Sequence, residues 1–252
     1  MTLLMKWFLL ALSALLALAY GAFGASLYVG EPPYVLPALR KSSGIIVLVL
    51  IALWSADGGR LDRAAPAAHA ARSAALQPAN ASAAHNKVLA AALLFGALGD
   101  ALLAWSPDTF LYGAFAFLIG HLFYIALFLR SGLGLAALKQ PPRALAALAL
   151  IAAALIMTSL LVPRDSAMFI PLSVYTGVLT LMAIISFTLP AARWLAMAGA
   201  VLFFISDGFV AWNMFHPDPD PTLAHWRSFA GWMIYWAGQA ALCFGALGLH
   251  KR

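Results

Sequence analysis

Charge is what this chain has least of. Among 252 residues, 15 are Lys or Arg and 9 are Asp or Glu, so 10% are charged and 64% are hydrophobic. A water-soluble fold carries roughly 25% charged residues, and a soluble globular domain is excluded. Cysteine is scarcer still: the single Cys243 excludes a disulfide framework. The apolar runs also lack the polar–apolar alternation of barrel strands. What the chain does have is apolar stretches of about 20 residues, each able to cross a hydrocarbon core of about 30 Å. Lipid offers the backbone no hydrogen bonds, so such stretches are helices. The expected fold class is all-α, a polytopic transmembrane bundle of about eight spans.

The spans are expected at 3–29, 40–56, 87–105, 109–130, 143–162, 168–188, 193–214 and 226–249, forming one transmembrane domain over 1–252. Connectors are short except 57–86, an Ala-rich stretch with scattered Arg, His, Pro and Ser. It reads as a long cytoplasmic loop, mobile or weakly helical, and not as a domain. Asn80-Ala81-Ser82 fits a glycosylation acceptor, but so short a pattern arises by chance and carries no weight. At the N-terminus, Lys6 and Ala22-Phe23-Gly24-Ala25 imitate a signal peptide and its cleavage site. The apolar stretch from Leu3 to Val29 is long for a signal and reads as a retained span.

The basic residues set the orientation. With eight spans both termini share a side, which collects Lys6, Arg60, Arg63, Arg72, Lys87, Arg130, Lys139, Arg143, Arg193, Lys251 and Arg252. The other side has only Arg40, Lys41, Arg164 and Arg227. That excess places both termini in the cytoplasm of a plasma (inner) membrane. The net charge of +6 is therefore a topology signal, and no nucleic-acid partner is implied.

Against this background two acids stand out. Asp100 lies within LLFGALGDALLAW and Asp207 within GAVLFFISDGFVAW, too far from either end for a short side chain to reach water. A carboxylate at mid-membrane costs roughly 2.5–3.5 kcal/mol on insertion scales, so the default reading is a buried polar site. Asp100 comes 13 residues after Lys87 and Asp207 comes 14 after Arg193. At about 1.5 Å per residue both lie roughly 20 Å from the cytoplasmic edge. They share a level in the outer half of the bilayer.

Other polar groups fall at helical spacing. Gly113, Phe117, His121 and Tyr124 share a face of the fourth span, with Gly120 beside His121; Ser228, Gly231, Tyr235 and Gln239 share one on the eighth. Tyr175 sits about two turns inside the sixth span, and Lys41 opens the second on the outer side. Gly96, Gly99 and Gly199 near the aspartates permit close helix approach. Each also has a plain reading: glycine stripes pack helices, a lone His bonds a neighbouring helix, Tyr and Trp mark interfaces, and Lys41 snorkels.

FGALGDALLAW, FLYGAFAFLIGHLFYIALF (110–128), PLSVYTGVLTLM (171–182), GAVLFFISDGFVAW and YWAGQAAL (235–242) occur in that order. The ordered set resembles the YhhN-like family of membrane proteins, whose characterised members are lysoplasmalogenases, over roughly 85–250. Where that family often has Lys-Pro entering the second span, this chain has Arg40-Lys41-Ser42, and 57–86 resembles a local insertion. The resemblance implies hydrolysis of a lysoplasmalogen vinyl ether to a fatty aldehyde and a glycerophospho-head group, with a lysophospholipid drawn from the surrounding membrane lipids. Such a bond breaks by protonation at carbon, which forms an oxocarbenium ion that water captures. Asp100 and Asp207 can divide the acid and base roles, as paired carboxyls do in inverting glycosidases. The residues leave open which takes which. His121, Tyr124, Tyr175, Tyr235, Gln239 and Lys41 are the candidate substrate-binding groups.

No metal or other cofactor is called for. A zinc site needs about three converging ligands, whereas of the six histidines only His121 lies inside a span. His69, His85 and His250 belong to the cytoplasmic side, and His216 and His225 to the outer loop. A proton-coupled small-molecule or lipid transporter is the alternative, because buried Asp, His and Tyr also mark ion paths. Against it, the chain has neither an inverted-repeat pattern nor clearly broken helices. A noncatalytic lipid-binding protein is the third reading.

Overall fold

The computed structural model describes residues 2–24, 31–61 and 69–247, the side chains of 56–61 and 69–82 excepted. Among the described residues there are eight α-helices and no strand: α1 (Leu3–Phe23), α2 (Val35–Leu61), α3 (His69–Trp105), α4 (Phe110–Arg130), α5 (Pro141–Leu161), α6 (Phe169–Ser186), α7 (Trp194–Phe215) and α8 (Pro221–Leu247). The helices α1 to α7 are long and apolar enough to cross a membrane. In α8, which has 27 residues, Arg227, Gln239 and the glycines lower the apolar character. The expected end of the first span (25–29), part of the long connector (62–68) and the C-terminal 248–252 lie outside the described residues.

Three helices run past their expected limits, α8 by starting at Pro221 instead of residue 226. On either side of 62–68, α2 reaches Leu61 and α3 has begun by His69, so much of the stretch read as a loop is helical. Alanine is the strongest helix former and outweighs the scattered breakers. At its other end α2 starts at Val35 instead of residue 40. Pro37 falls in the first turn, where its missing N–H has no helical partner to lose. The Tyr34 N–H donates to the Trp105 carbonyl at 2.7 Å, pinning the start of α2 to the end of α3.

The bundle is built on three extensive seams, α7 with α8, α2 with α3 and α3 with α4, while α4 and α5 pack on α6 and α1 packs on α2 and α8. The α7–α8 seam depends on absent side chains. A Cβ on Gly199 would lie 2.7 Å from both the Gly238 carbonyl oxygen and the Leu242 nitrogen. Helix backbone cannot step aside, so only glycine lets the two axes come this close. Elsewhere α1 is held by α8: Trp232 Nε1 donates to the Ala17 carbonyl at 2.8 Å and Trp236 Nε1 to Ser13 Oγ at 2.9 Å. Ser13 Oγ in turn donates to the Gly44 carbonyl on α2 at 2.7 Å.

The polarity is that of a membrane protein. Leu4 and Ile170 are 80% and 73% exposed on the outer surface, while Asp100, His121, Thr176 and Gln239 are buried. An apolar exterior is stable only against lipid. At the bundle end rich in basic residues, Arg143 Nη1 donates to the carbonyls of Phe187 and Leu189, at 2.6 and 2.8 Å. Arg193 Nη1 likewise donates to Gly245 and Ala246, both at 2.9 Å. The last carbonyls of a helix have no partner within it, and a cation there also suits the helix dipole.

Candidate active site

A cavity of about 430 Å³ opens between the helices near the ends of α3, α5 and α7. Asp100, Asp207, Lys41, Tyr175 and Tyr235 all line it, so five of the eight candidate residues share one chamber. Most of the remaining wall is apolar, including Leu103, Phe117, Met157, Val162, Leu172, Phe209 and Trp232.

Each carboxylate receives a tyrosine hydroxyl. Tyr235 Oη donates to Asp100 Oδ2 at 2.9 Å, and Tyr175 Oη donates to Asp207 Oδ2 at 2.5 Å. The two environments differ behind that contact. Tyr235 Oη accepts from Gln239 Nε2 at 3.1 Å, and Gln239 Oε1 accepts from Tyr124 Oη at 2.6 Å. A buried relay therefore runs from α4 through α8 to the α3 carboxylate. Tyr235 and Gln239, four residues apart on α8, necessarily share a face. Among the described residues no such relay stands behind Tyr175; Ser206 Oγ beside it donates to the Phe203 carbonyl at 2.7 Å and lies within hydrogen-bonding reach of Asp207. Asp100 is 2% exposed, while Asp207 is half-buried against the chamber.

The glycines around Asp100 serve this arrangement. A Cβ on Gly96 would lie 2.5 Å from Gln239 Nε2 and 3.3 Å from Tyr235 Oη. One on Gly99 would enter the Phe117 ring, 2.6 to 2.8 Å from its atoms. Under the chamber, Phe203 meets Phe117, Tyr235 and His121 edge-on, with ring centroids 6.0, 5.2 and 4.7 Å apart. This aromatic floor fixes the ring planes of the groups that hold the acids.

Three expected substrate-binding residues stand back from the chamber. His121, Tyr124 and Gln239 are at most 1% exposed and do not line it. On α4 the wall is formed by Phe110, Ala114 and Phe117, and residues further along the helix fall beneath the floor. His121 packs edge-on to Tyr175, ring centroids 5.4 Å apart, and neither of its ring nitrogens has a hydrogen-bond partner. Lys41 moves the other way. The early start of α2 carries it from the span edge to about 9 Å inside the helix, where its ammonium sits 5.8 Å from the Trp232 ring centroid. Among the described residues no three His, Cys, Asp or Glu side chains converge as metal ligands would.

Sequence reasoning missed Trp232 and Phe209 as chamber walls. Aromatics in apolar helices read alike whether they face lipid or a cavity. Trp232 did carry a signal, since it lies one turn before Tyr235 on α8.

The fold and the chamber define an integral, multi-pass helical membrane protein with a paired-carboxyl interior site. The chain belongs to the YhhN family, which its residues 41–246 match. It is 37% identical over 129 residues to the lysoplasmalogenase TMEM86B of Mus musculus, covering 51% of this chain and 51% of that protein. To the lysoplasmalogenase TMEM86B of Rattus norvegicus it is 36% identical over 129 residues, 51% of this chain and 50% of that protein. The chain spans about half the length of the curated relatives it matches. No solved structure matches it.

Proposed function

We propose that this protein is a membrane lysoplasmalogenase, hydrolysing the vinyl-ether bond of lysoplasmalogens by acid–base catalysis from Asp100 and Asp207 without a metal. The observation that carries the reading is a largely apolar chamber holding two carboxyl groups, each fixed by a tyrosine. The similarity to the rodent lysoplasmalogenases supports the substrate class.

Two carboxyls are enough to balance the reaction. One protonates the alkene carbon next to the ether-bearing carbon, leaving an oxocarbenium ion beside the second, ionised carboxylate. That carboxylate removes a proton from water as the water oxygen bonds to the cationic carbon, giving a hemiacetal. In the collapse, the first carboxylate takes the hemiacetal hydroxyl proton while the second carboxyl returns its proton to the departing glycerol oxygen. Aldehyde and alcohol leave, and both aspartates regain their starting forms. Tyr175 and Tyr235 hold the carboxyls in the geometry that these transfers need.

The basic edge of the bundle, with Arg143 and Arg193, faces the cytoplasm on this reading, and the chamber lies toward the opposite side. A periplasmic reporter active after Arg252 would reverse that orientation. The chemistry is tested on purified protein in detergent with three lysolipids: vinyl ether, saturated ether and ester. Only the first can be protonated to the cation, so it alone is cleaved and chelators have no effect. Asp100→Asn and Asp207→Asn each lower the rate by at least about 10²-fold, the usual contribution of a general acid or base, with insertion and folding retained. Full activity in both variants, loss on zinc removal, or faster ester cleavage would overturn the proposal.

A further inference from the structure

Among the described residues Lys41 is the only Lys or Arg that lines the chamber. Resting on the reading above, we infer that Lys41 is the anchor for the phosphodiester of the lysolipid head group, so the substrate lies with its head toward α1, α2 and α8 and its alkyl chain toward α5 and α6. The argument begins with register. The Tyr34–Trp105 hydrogen bond ties α2 to α3 end to end, and from it Lys41 and Asp100 are counted inward by similar lengths along antiparallel helices. The ammonium is thereby set at the level of the reacting groups, within electrostatic reach of Asp100.

A cation at this depth is costly and calls for an anionic partner. Asp100 supplies part of that need, but it also takes a hydrogen bond from Tyr235. An incoming phosphodiester meets two aspartates in the same chamber, and like charges at such range repel strongly in a low dielectric. Only Lys41 on the lining offsets that repulsion.

The walls divide in the same sense. Tyr20, Lys41 and Trp232 come from helices that pack on one another, α1, α2 and α8. Met157 and Leu172 come from α5 and α6, which form their own seam, and Val162 directly follows α5. The first wall offers a cation and amphipathic rings to a polar head. The second carries no charge and offers mainly hydrocarbon to a chain, its polar groups being Thr158, Thr176 and the Tyr175 hydroxyl that is turned to Asp207. Asp100 and Asp207, on α3 and α7, stand between them, where the vinyl ether joins head to chain.

The test compares two vinyl-ether substrates, 1-alkenyl-glycerophosphoethanolamine and 1-alkenylglycerol, which lacks the phosphate. Lys41→Gln is expected to lower kcat/KM for the phospholipid roughly 10- to 100-fold more than for the alkenylglycerol, the range of a charge-assisted hydrogen bond. The loss falls mainly on KM, and Lys41→Arg restores most of it. Equal losses on both substrates would mean that Lys41 acts through Asp100 alone and would overturn the inference. A binding arm separates this from the catalytic reading. The saturated-ether lysophospholipid raises the thermal stability of the wild type more than alkylglycerol does, and Lys41→Gln abolishes that difference. If the difference persists in Lys41→Gln, the anchor is elsewhere even if no substrate is cleaved. Millimolar inorganic phosphate leaves this stabilisation unchanged; displacement by it would assign the site to free phosphate instead of a lipid.

Discussion

Replacing Gly96 by alanine tests whether the relay behind Asp100 is built as described. The new methyl group would sit 2.5 Å from Gln239 Nε2, well inside contact distance, and 3.3 Å from Tyr235 Oη. Gln239 is fully buried, so its amide has little room to swing. Moving it strains two hydrogen bonds, Tyr124 to Gln239 and Gln239 to Tyr235. Leaving buried polar groups unmatched costs about 1–3 kcal/mol, and overpacking adds about 1–3 kcal/mol. Better helix propensity returns about 1 kcal/mol, so the net loss should be roughly 1–5 kcal/mol. Gly177 on α6 is the control, because a Cβ there meets nothing within 4 Å. Gly177→Ala should be neutral or stabilising by up to about 1 kcal/mol. Thermal unfolding in detergent and specific activity on a vinyl-ether lysolipid are measured for both. Gly96→Ala should unfold earlier and lose activity per folded molecule, since Tyr235 is no longer held against Asp100. If the two variants behave alike, the relay is not what Gly96 accommodates.

Two further substitutions probe the groups around the chamber. Tyr235→Phe removes the donor to Asp100 and the acceptor for Gln239 while keeping the ring on Phe203; it should cost at least about tenfold in kcat with a well-folded protein, and unchanged kcat would remove Tyr235 from the site. His121→Phe keeps the edge-on packing with Tyr175 and Phe203 and discards two unpartnered nitrogens. It should therefore retain stability and most activity, and a loss of 10²-fold, typical of a general acid or base, would show that His121 takes part in proton transfer.

The helices and the two acids were legible in the sequence for one reason: both are violations or fulfilments of what lipid permits. Apolar length marks a span, and Asp100 and Asp207 break that rule at equal depth. Tyr235 followed from helical spacing on α8, and Tyr175 from its place about two turns inside the sixth span. The layering did not follow. Spacing places His121 and Tyr124 on the same face as Phe117, but it gives no sign of where along α4 a cavity stops. Lys41 was misplaced because a charge next to an apolar run looks like the run's edge. Only the hydrogen bond between Tyr34 and Trp105, a contact across two helices, draws it inward.

The arginines at the basic rim limit which substitutions that rim can tolerate. Topology reads Lys and Arg as equivalent charges, so Lys87 and Lys139 could drift to Arg, or the reverse at exposed sites, with no effect on insertion. Arg143 and Arg193 are different, since a single guanidinium nitrogen of each spans two carbonyls at a helix end. A lysine there would preserve the orientation but give up the planar, preorganised donor. Across diverging copies of this chain, these two positions should resist an exchange that their neighbours on the rim accept.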